Sequence, residues 1–174
     1  IKGMEQKLSE RIDHLDVLFL NAAAFGSLTP ITHITEAEWN ETFAVNLTSN
    51  VIFLKLFEPY LKRANQSQVL ISTTEIINQK KPFWGLYSAS KAALEQIAYS
   101  YAEETQNTNI KVNLIDPGIV NTKLRLKAYP GEDKQKITQP SDLSDFFEDI
   151  LFNDKFANGE LIRYADWLES SKRV

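Results

Sequence analysis

Tyr87-Ser88-Ala89-Ser90-Lys91 sets a tyrosine and a lysine four residues apart at the head of a segment with helical spacing. In a helix this spacing puts phenol and ammonium on one face, within reach of each other. A phenol with an ordinary pKa near ~10 is a poor acid–base group at neutral pH, and a cation beside it, by favouring phenolate, lowers that value. The pair also has an uneventful reading, a partly exposed tyrosine next to a solvated lysine, because Tyr-x3-Lys arises by chance in many helices. Its weight depends on the rest of the chain.

The Tyr87 helix is expected to run to about Glu104, with small residues at Ser88, Ala89, Ser90, Ala92 and Ala93 over its first turns. Small side chains admit a second backbone or a flat ligand, and they equally suit helix propensity and tight packing on a sheet. Ahead of it lies a loop with Pro82 and Gly85, where Phe83, Trp84 and Leu86 either rim a site or pack the loop itself. Further back, Gln68 to Thr73 reads as a strand ending in the hydroxyls Ser72, Thr73 and Thr74; Ser72 and Thr74 share a face if the strand extends that far. Asp16 to Asn21 contains the apolar run Val17-Leu18-Phe19-Leu20, as expected of a parallel strand covered on both faces, and the small residues Ala22, Ala23 and Ala24 follow.

Between those strands Phe25 to Ile34 is loop, and Thr35 with Glu38 forms a capping box that opens a long helix. Trp39, Phe43, Asn46, Leu47, Asn50, Val51 and Leu54 trace its inward stripe up to Pro59, where the helix kinks or ends. Asn46 is a poor helix former on that stripe; it is either a buried amide satisfied by nearby backbone or a functional residue. At the start of the chain, Gly3 to Leu15 reads as an amphipathic helix carrying Met4, Leu8, Ile12 and Leu15. Downstream of the tyrosine helix, Ile110 to Ile115 is a strand, and Asp116-Pro117-Gly118-Ile119-Val120-Asn121-Thr122 is the turn at its carboxyl end. Lys123 to Pro140 is polar and reads as a mobile segment with a short helix, a candidate lid. Asp142 to Phe152 is a helix capped by Ser141, Glu160 to Tyr164 a last strand, and Asp166 to Val174 a tail that packs at Trp167 and Leu168 and frays beyond them.

The chain has 174 residues, 43% hydrophobic and 24% charged, which suits a single domain, residues 1–174, with a real core. Net charge is −4 and the basic residues are scattered, so no footprint for nucleic acid or an anionic membrane is expected. Cysteine is absent, which excludes thiolate chemistry and disulfides and fits a reducing, cytoplasmic compartment; with only His14 and His33, no metal site is expected. No run of eighteen apolar residues occurs, and no membrane partner is expected. Strands alternating with helices are the signature of a parallel α/β sheet. In such sheets ligands collect at the carboxyl ends of the strands, here Asn21, Thr74 and Pro117-Gly118.

Together these pieces resemble the short-chain dehydrogenases/reductases over about Leu15 to Tyr164. They come in order: a strand ending Asn21-Ala22-Ala23, the Val45-Asn46 pair, a hydroxyl thirteen residues before Tyr87, Tyr-x3-Lys, and Pro117-Gly118 with Thr122 after it. The resemblance implies the carboxyl-terminal part of a doubly wound, Rossmann-like parallel sheet and an NAD- or NADP-dependent oxidoreductase acting on a carbonyl or alcohol, in a homo-oligomer. Tyr87 would be the general acid or base, Lys91 would lower its pKa and bind the nicotinamide ribose, Thr74 would orient substrate, and Asn46 would hold a relay water. Asn21 and Ala22 would line the adenosine side of the cofactor, and Pro117, Gly118, Ile119 and Thr122 the nicotinamide end.

Several positions depart from that pattern. Ala24 stands where the family usually has glycine, Glu75, Ile76 and Ile77 replace small residues, and Asp166-Trp167 lacks the glycines that commonly follow the aspartate. No Gly-x3-Gly-x-Gly turn occurs, so a longer native protein is expected, with on the order of 70 further residues for the opening half of the sheet. Two other functions remain open, a non-catalytic binding or regulatory relative and sugar-nucleotide epimerase or dehydratase chemistry, the latter disfavoured by the short carboxyl-terminal region.

Overall fold

Four short strands carry the fold because each alternates side chains between two helical layers. In the computed structural model, which describes Gly3, Lys7, Leu8 and residues 10–172, β1 (Val17–Leu20), β2 (Ser67–Ser72), β3 (Ile110–Asp116) and β4 (Leu161–Arg163) form one sheet in that order. All neighbours are parallel, with Leu18 opposite Val69, Val69 opposite Val112 and Ile115 opposite Ile162. Parallel neighbours need crossovers, and helices supply them: α1 (Glu36–Phe43) and α2 (Ser49–Leu61) after β1, α3 (Gly85–Glu104) after β2, and α4 (Lys123–Ala128) and α5 (Ser144–Phe152) after β3. A last helix, α6 (Tyr164–Ser171), follows β4 directly.

Period-two alternation sorts the core into two layers. Val69, Ile71, Val112 and Leu114 pack with Leu54, Leu61, Leu94 and Ala98 of α2 and α3. Leu70, Ile115 and Ile162 point the other way, onto Phe146 and Ile150 of α5 and Trp167 of α6. The sheet is thus covered on both faces, as the doubly wound expectation requires.

Several local expectations are corrected. β1 is not buried on both faces: Leu18 and Leu20 are, whereas Val17 and Phe19 are 38% and 40% exposed. The strand lies at the edge of the sheet, with Phe147 5.3 Å from Phe19 on its outer face. The stripe on the long helix is also shifted. A π-turn at Ala44–Thr48 inserts itself between α1 and α2, so Thr42, Asn46, Asn50 and Leu54 are buried while Trp39 and Val51 are exposed. Pro59 does not stop α2, which runs on to Leu61.

The Thr35–Glu38 capping box is present as expected. The start of α5 is built differently: a 3-10 turn at Pro140–Leu143 precedes it, and the Asp142 carboxylate accepts the Gln139 N–H at 2.7 Å, so Ser141 is not the cap. The tail packs at Trp167 as expected, on Phe146 and with its Nε1–H donated to Asp149 at 2.8 Å, but it is helical through Ser171 rather than frayed beyond Leu168. Of the expected first helix, Gly3, Lys7 and Leu8 are helical, Ile12 and Leu15 are not, the chain turning at Glu10 and Arg11 before β1, and Met4 lies outside the described residues. No helix among the described residues is long and apolar enough to cross a membrane.

Phe146 is fully buried, with Phe147, Tyr164 and Trp167 rings 5.4 to 5.5 Å away. Phe146→Ala is expected to cost about 3–5 kcal/mol of stability, read as a lowered urea midpoint with α3 and its site residues unaltered.

Candidate functional site

The carboxyl ends of β1, β2 and β3 open into a cavity of about 510 Å³, walled on one side by the first turns of α3 and on the other by α4. Asn21, Thr74, Tyr87, Lys91, Pro117, Gly118, Ile119 and Thr122 all line it. Ala22 and Asn46 do not.

α3 begins at Gly85, two residues earlier than its sequence suggests, so Tyr87 sits within its first turn. Pro82 precedes a residue with left-handed backbone, Phe83 at φ 71°, unusual for an aromatic. That turn leaves Phe83 exposed and sends Trp84 inward, where Phe25, Trp84 and Tyr87 form an aromatic cluster with rings 5.2 to 6.1 Å apart. Trp84 therefore packs the site wall, and Phe83 does not.

Lys91 is 2% exposed, which removes the uneventful reading of the Tyr-x3-Lys pair. Its ammonium donates to the Ser72 carbonyl at 2.8 Å, tying α3 to the end of β2. Burial holds Lys91 down from the ordinary 10.5 to about 8. Burial, and after it the charge of Asp116, pushes the Tyr87 phenol up from 10.0 to about 12. Desolvation, which penalises phenolate, sets the direction of the Tyr87 shift, and the Lys91 ammonium is directed at a carbonyl. At neutral pH the phenol is protonated and able to donate.

Thr74 lines the cavity, and its hydroxyl accepts the Ile76 N–H at 3.4 Å, capping the 3-10 turn Glu75–Asn78. Ser72, the other candidate hydroxyl, also lines the cavity, and its carbonyl is the one Lys91 holds.

Asn46 follows its backbone-satisfied reading. Its Oδ1 accepts the Ala24 N–H at 2.7 Å and its Nδ2 donates to the Ala24 carbonyl and to Ser90 Oγ, both at 2.8 Å. Both amide hydrogens are committed, so the side chain pins the loop after β1 rather than facing Tyr87. Ser90, fully buried, is small because the π-turn carrying Asn46 packs against it.

At the end of β3, Gly118 has φ 72° and nothing within 4 Å of where a side chain would point. Asp116 Oδ1 accepts the Gly118 N–H at 2.9 Å and fixes this turn. Thr122 caps α4, its hydroxyl accepting the Arg125 N–H at 3.1 Å. The open backbone at Gly118, with the Lys91 ammonium using one of its three donors, fits a flat ring and its ribose, so Lys91, Pro117, Gly118 and Ile119 are the residues that would hold a nicotinamide. Sequence reasoning missed Asp116 as a site acid, although it lies inside the turn already singled out. It also missed Lys81, Arg125 and Tyr129, whose meeting spans over forty residues and leaves no local signal.

The family profile described as short chain dehydrogenase matches residues 1–133. The uncharacterized oxidoreductase YciK of Escherichia coli (strain K12) is 26% identical over 151 residues, covering 87% of this chain and 60% of that protein. Dehydrogenase/reductase SDR family member 6 of Aquarana catesbeiana is 34% identical over 138 residues, covering 74% of this chain. The chain spans only 54% of that second relative's length. Among solved structures, a short chain dehydrogenase from Escherichia coli CFT073 complexed with NADPH aligns with a TM-score of 0.87 at 25% identity, over 93% of this chain and 68% of the other. A short chain dehydrogenase from Salmonella enterica serovar Typhi aligns at TM-score 0.88 and 24% identity, a likeness of fold.

A buried lysine with a depressed pKa makes stability depend on pH. Between about pH 8 and 10.5 the unfolded chain keeps a proton that the folded Lys91 has released, so stability rises with pH across that window. Below it the penalty is constant, roughly 3 kcal/mol. Denaturant unfolding is expected to show this rise between about pH 8 and 10 in the wild type and a flatter profile in Lys91→Met.

Proposed function

This chain belongs to the short-chain dehydrogenase/reductase family, and from that premise we propose that it is the catalytic part of an NAD- or NADP-dependent reductase that interconverts a small carbonyl compound and its alcohol. The observation that carries the reading is the buried pair of Tyr87 and Lys91 on one cavity with Gly118. When bound, reduced nicotinamide supplies the hydride that the carbonyl carbon gains.

The chain's own residues handle the proton. Tyr87, neutral at physiological pH, donates its hydroxyl hydrogen to the carbonyl oxygen as negative charge develops there. Even with its pKa near 12 the phenol gives up this proton downhill, since an alkoxide is a stronger base than a phenolate. Lys91, one helical turn on, offsets the phenolate charge that results and, through its remaining donors, holds the ribose. Solvent then reprotonates Tyr87, so the net change is one hydride and one proton added to the carbonyl. Thr74, which lines the same cavity, orients the substrate oxygen. Trp84, Tyr129 and Ile76 shield the site from water. Asn46 acts at one remove, by fixing the loop after β1.

A homo-oligomer that associates through α2 and α3 belongs to the same reading, supported by the exposed apolar residues Val51 and Ile97 on those helices. Asp116 supports a second reading, a non-catalytic relative, because its charge opposes formation of phenolate at Tyr87.

Assay of the intact protein decides between the two readings. Tyr87→Phe is expected to lower carbonyl reduction about 100-fold or more while NADH or NADPH binding, followed by fluorescence titration, is retained. Equal turnover in the variant would remove Tyr87 from the chemistry, and a wild type that binds neither cofactor would leave the non-catalytic relative.

A further inference from the structure

At the mouth of the same cavity, an exposed cation stands beside an aromatic wall. Lys81 lies between the 3-10 turn Glu75–Asn78 and Pro82 and lines the cavity. Its ammonium is 5.3 Å from the Trp84 ring and 4.8 Å from the Tyr129 ring, and it donates to the Tyr129 hydroxyl. Among the described residues no carboxylate reaches it within salt-bridge distance. Arg125, 3.8 Å from the centre of the Tyr129 ring, is spent: its guanidinium forks onto Glu132 through Nε and Nη2 at 2.6 and 2.5 Å.

The charges that line the cavity are laid out along it. Asp116, the last residue of β3, acts on the Tyr87 phenol and has Glu75, just past β2, close enough to act on it in turn, and Lys123 adjoins the Thr122 cap beside the nicotinamide turn. Lys81 is the cation set apart from that turn. Between it and Tyr87 stands a single indole, since the Trp84 and Tyr87 rings are 6.1 Å apart. Ile76, Trp84 and Ala128, all buried, give the intervening wall an apolar surface.

We propose that Lys81 sets substrate specificity: the substrate is a carbonyl compound whose carboxylate lies several bonds from the reacting group, with an apolar stretch between them. Resting on the reductase reading above, this places the carbonyl at Tyr87, the apolar stretch along Trp84 and the carboxylate at Lys81, where the Tyr129 hydroxyl turns its hydrogen to the same anion. Glu75 and Asp116 repel the carboxylate from the reacting end and so prevent the reversed pose. Lys81 is exposed and Tyr129 half-buried, so a carboxylate received by this ammonium and phenol gains a charge-assisted hydrogen bond at the edge of the solvent, beside aromatic surface.

The test compares two methyl ketones with terminal carboxylates, 4-oxopentanoate and 6-oxoheptanoate, with their methyl esters, in the intact protein with NADPH or NADH. At least one acid is expected to exceed its ester in kcat/KM by roughly tenfold or more, carried mainly in KM. Lys81→Met is expected to abolish that preference without changing the kinetics of the esters, and Lys81→Arg to keep most of it. Binding of 6-oxoheptanoate, followed by saturation-transfer NMR without any turnover, is expected in the wild type and lost in Lys81→Met. Esters used as well as the acids, or an acid preference that survives Lys81→Met, would overturn the specificity role and leave the reductase reading standing. Reduction of the esters with neither turnover nor binding of the acids would do the same. If no cofactor binds and no ketone is reduced, the reductase reading fails, and the NMR comparison still decides whether Lys81 receives a carboxylate.

Discussion

The buried ammonium of Lys91 is the constraint around which the site is arranged. A cation 2% exposed to solvent is expensive unless polar groups receive it, and the group that does so is the carbonyl of Ser72 at the end of β2. That bond sets the angle and depth at which α3 meets the sheet, and Tyr87, one turn earlier, is carried with it into the cavity. Because the same desolvation raises the phenol and lowers the ammonium, the free site holds a neutral proton donor beside a lysine that titrates not far above neutrality. Burial thus favours the neutral form of both groups, moving the lysine toward neutrality and the phenol away from it.

A second tie works at a distance from the chemistry. Asn46 spends its amide on both backbone groups of Ala24 and on Ser90, so the loop after β1, the π-turn between α1 and α2, and the start of α3 meet at one side chain. A π-turn costs regular helix hydrogen bonding and is common at functional sites; here it rotates Asn46 to the buried line with Thr42 and Asn50.

The mouth of the cavity is assembled from pieces far apart in the chain. Tyr129 lies between Arg125 and Lys81, with Trp84 behind it, and this cluster joins the segment after β3 to the loop before α3. Within the segment read from sequence as a mobile lid, Tyr129 contacts Trp84 and Lys81, and Arg125 pairs with Glu132.

Much of this was legible in the chain by itself. Runs such as Val69-Leu70-Ile71 between polar ends identify strands because alternation must feed two cores, and Thr35 with Glu38 starts a helix through a bond local to four residues. The Tyr87–Lys91 spacing identifies a shared helical face for the same reason: each signal is carried by neighbours in sequence. What only the tertiary structure decided depends on groups brought together from afar. The π-turn keeps Asn46, Asn50 and Leu54 on the buried line as expected but adds Thr42 and turns Trp39 and Val51 outward, because packing against Ser90 outweighs helical periodicity. The direction of the Tyr87 and Lys91 pKa shifts follows from burial, which spacing does not encode. The position of Lys81 over Trp84 and Tyr129 follows from a contact between residues forty-eight apart, which only the folded sheet brings together.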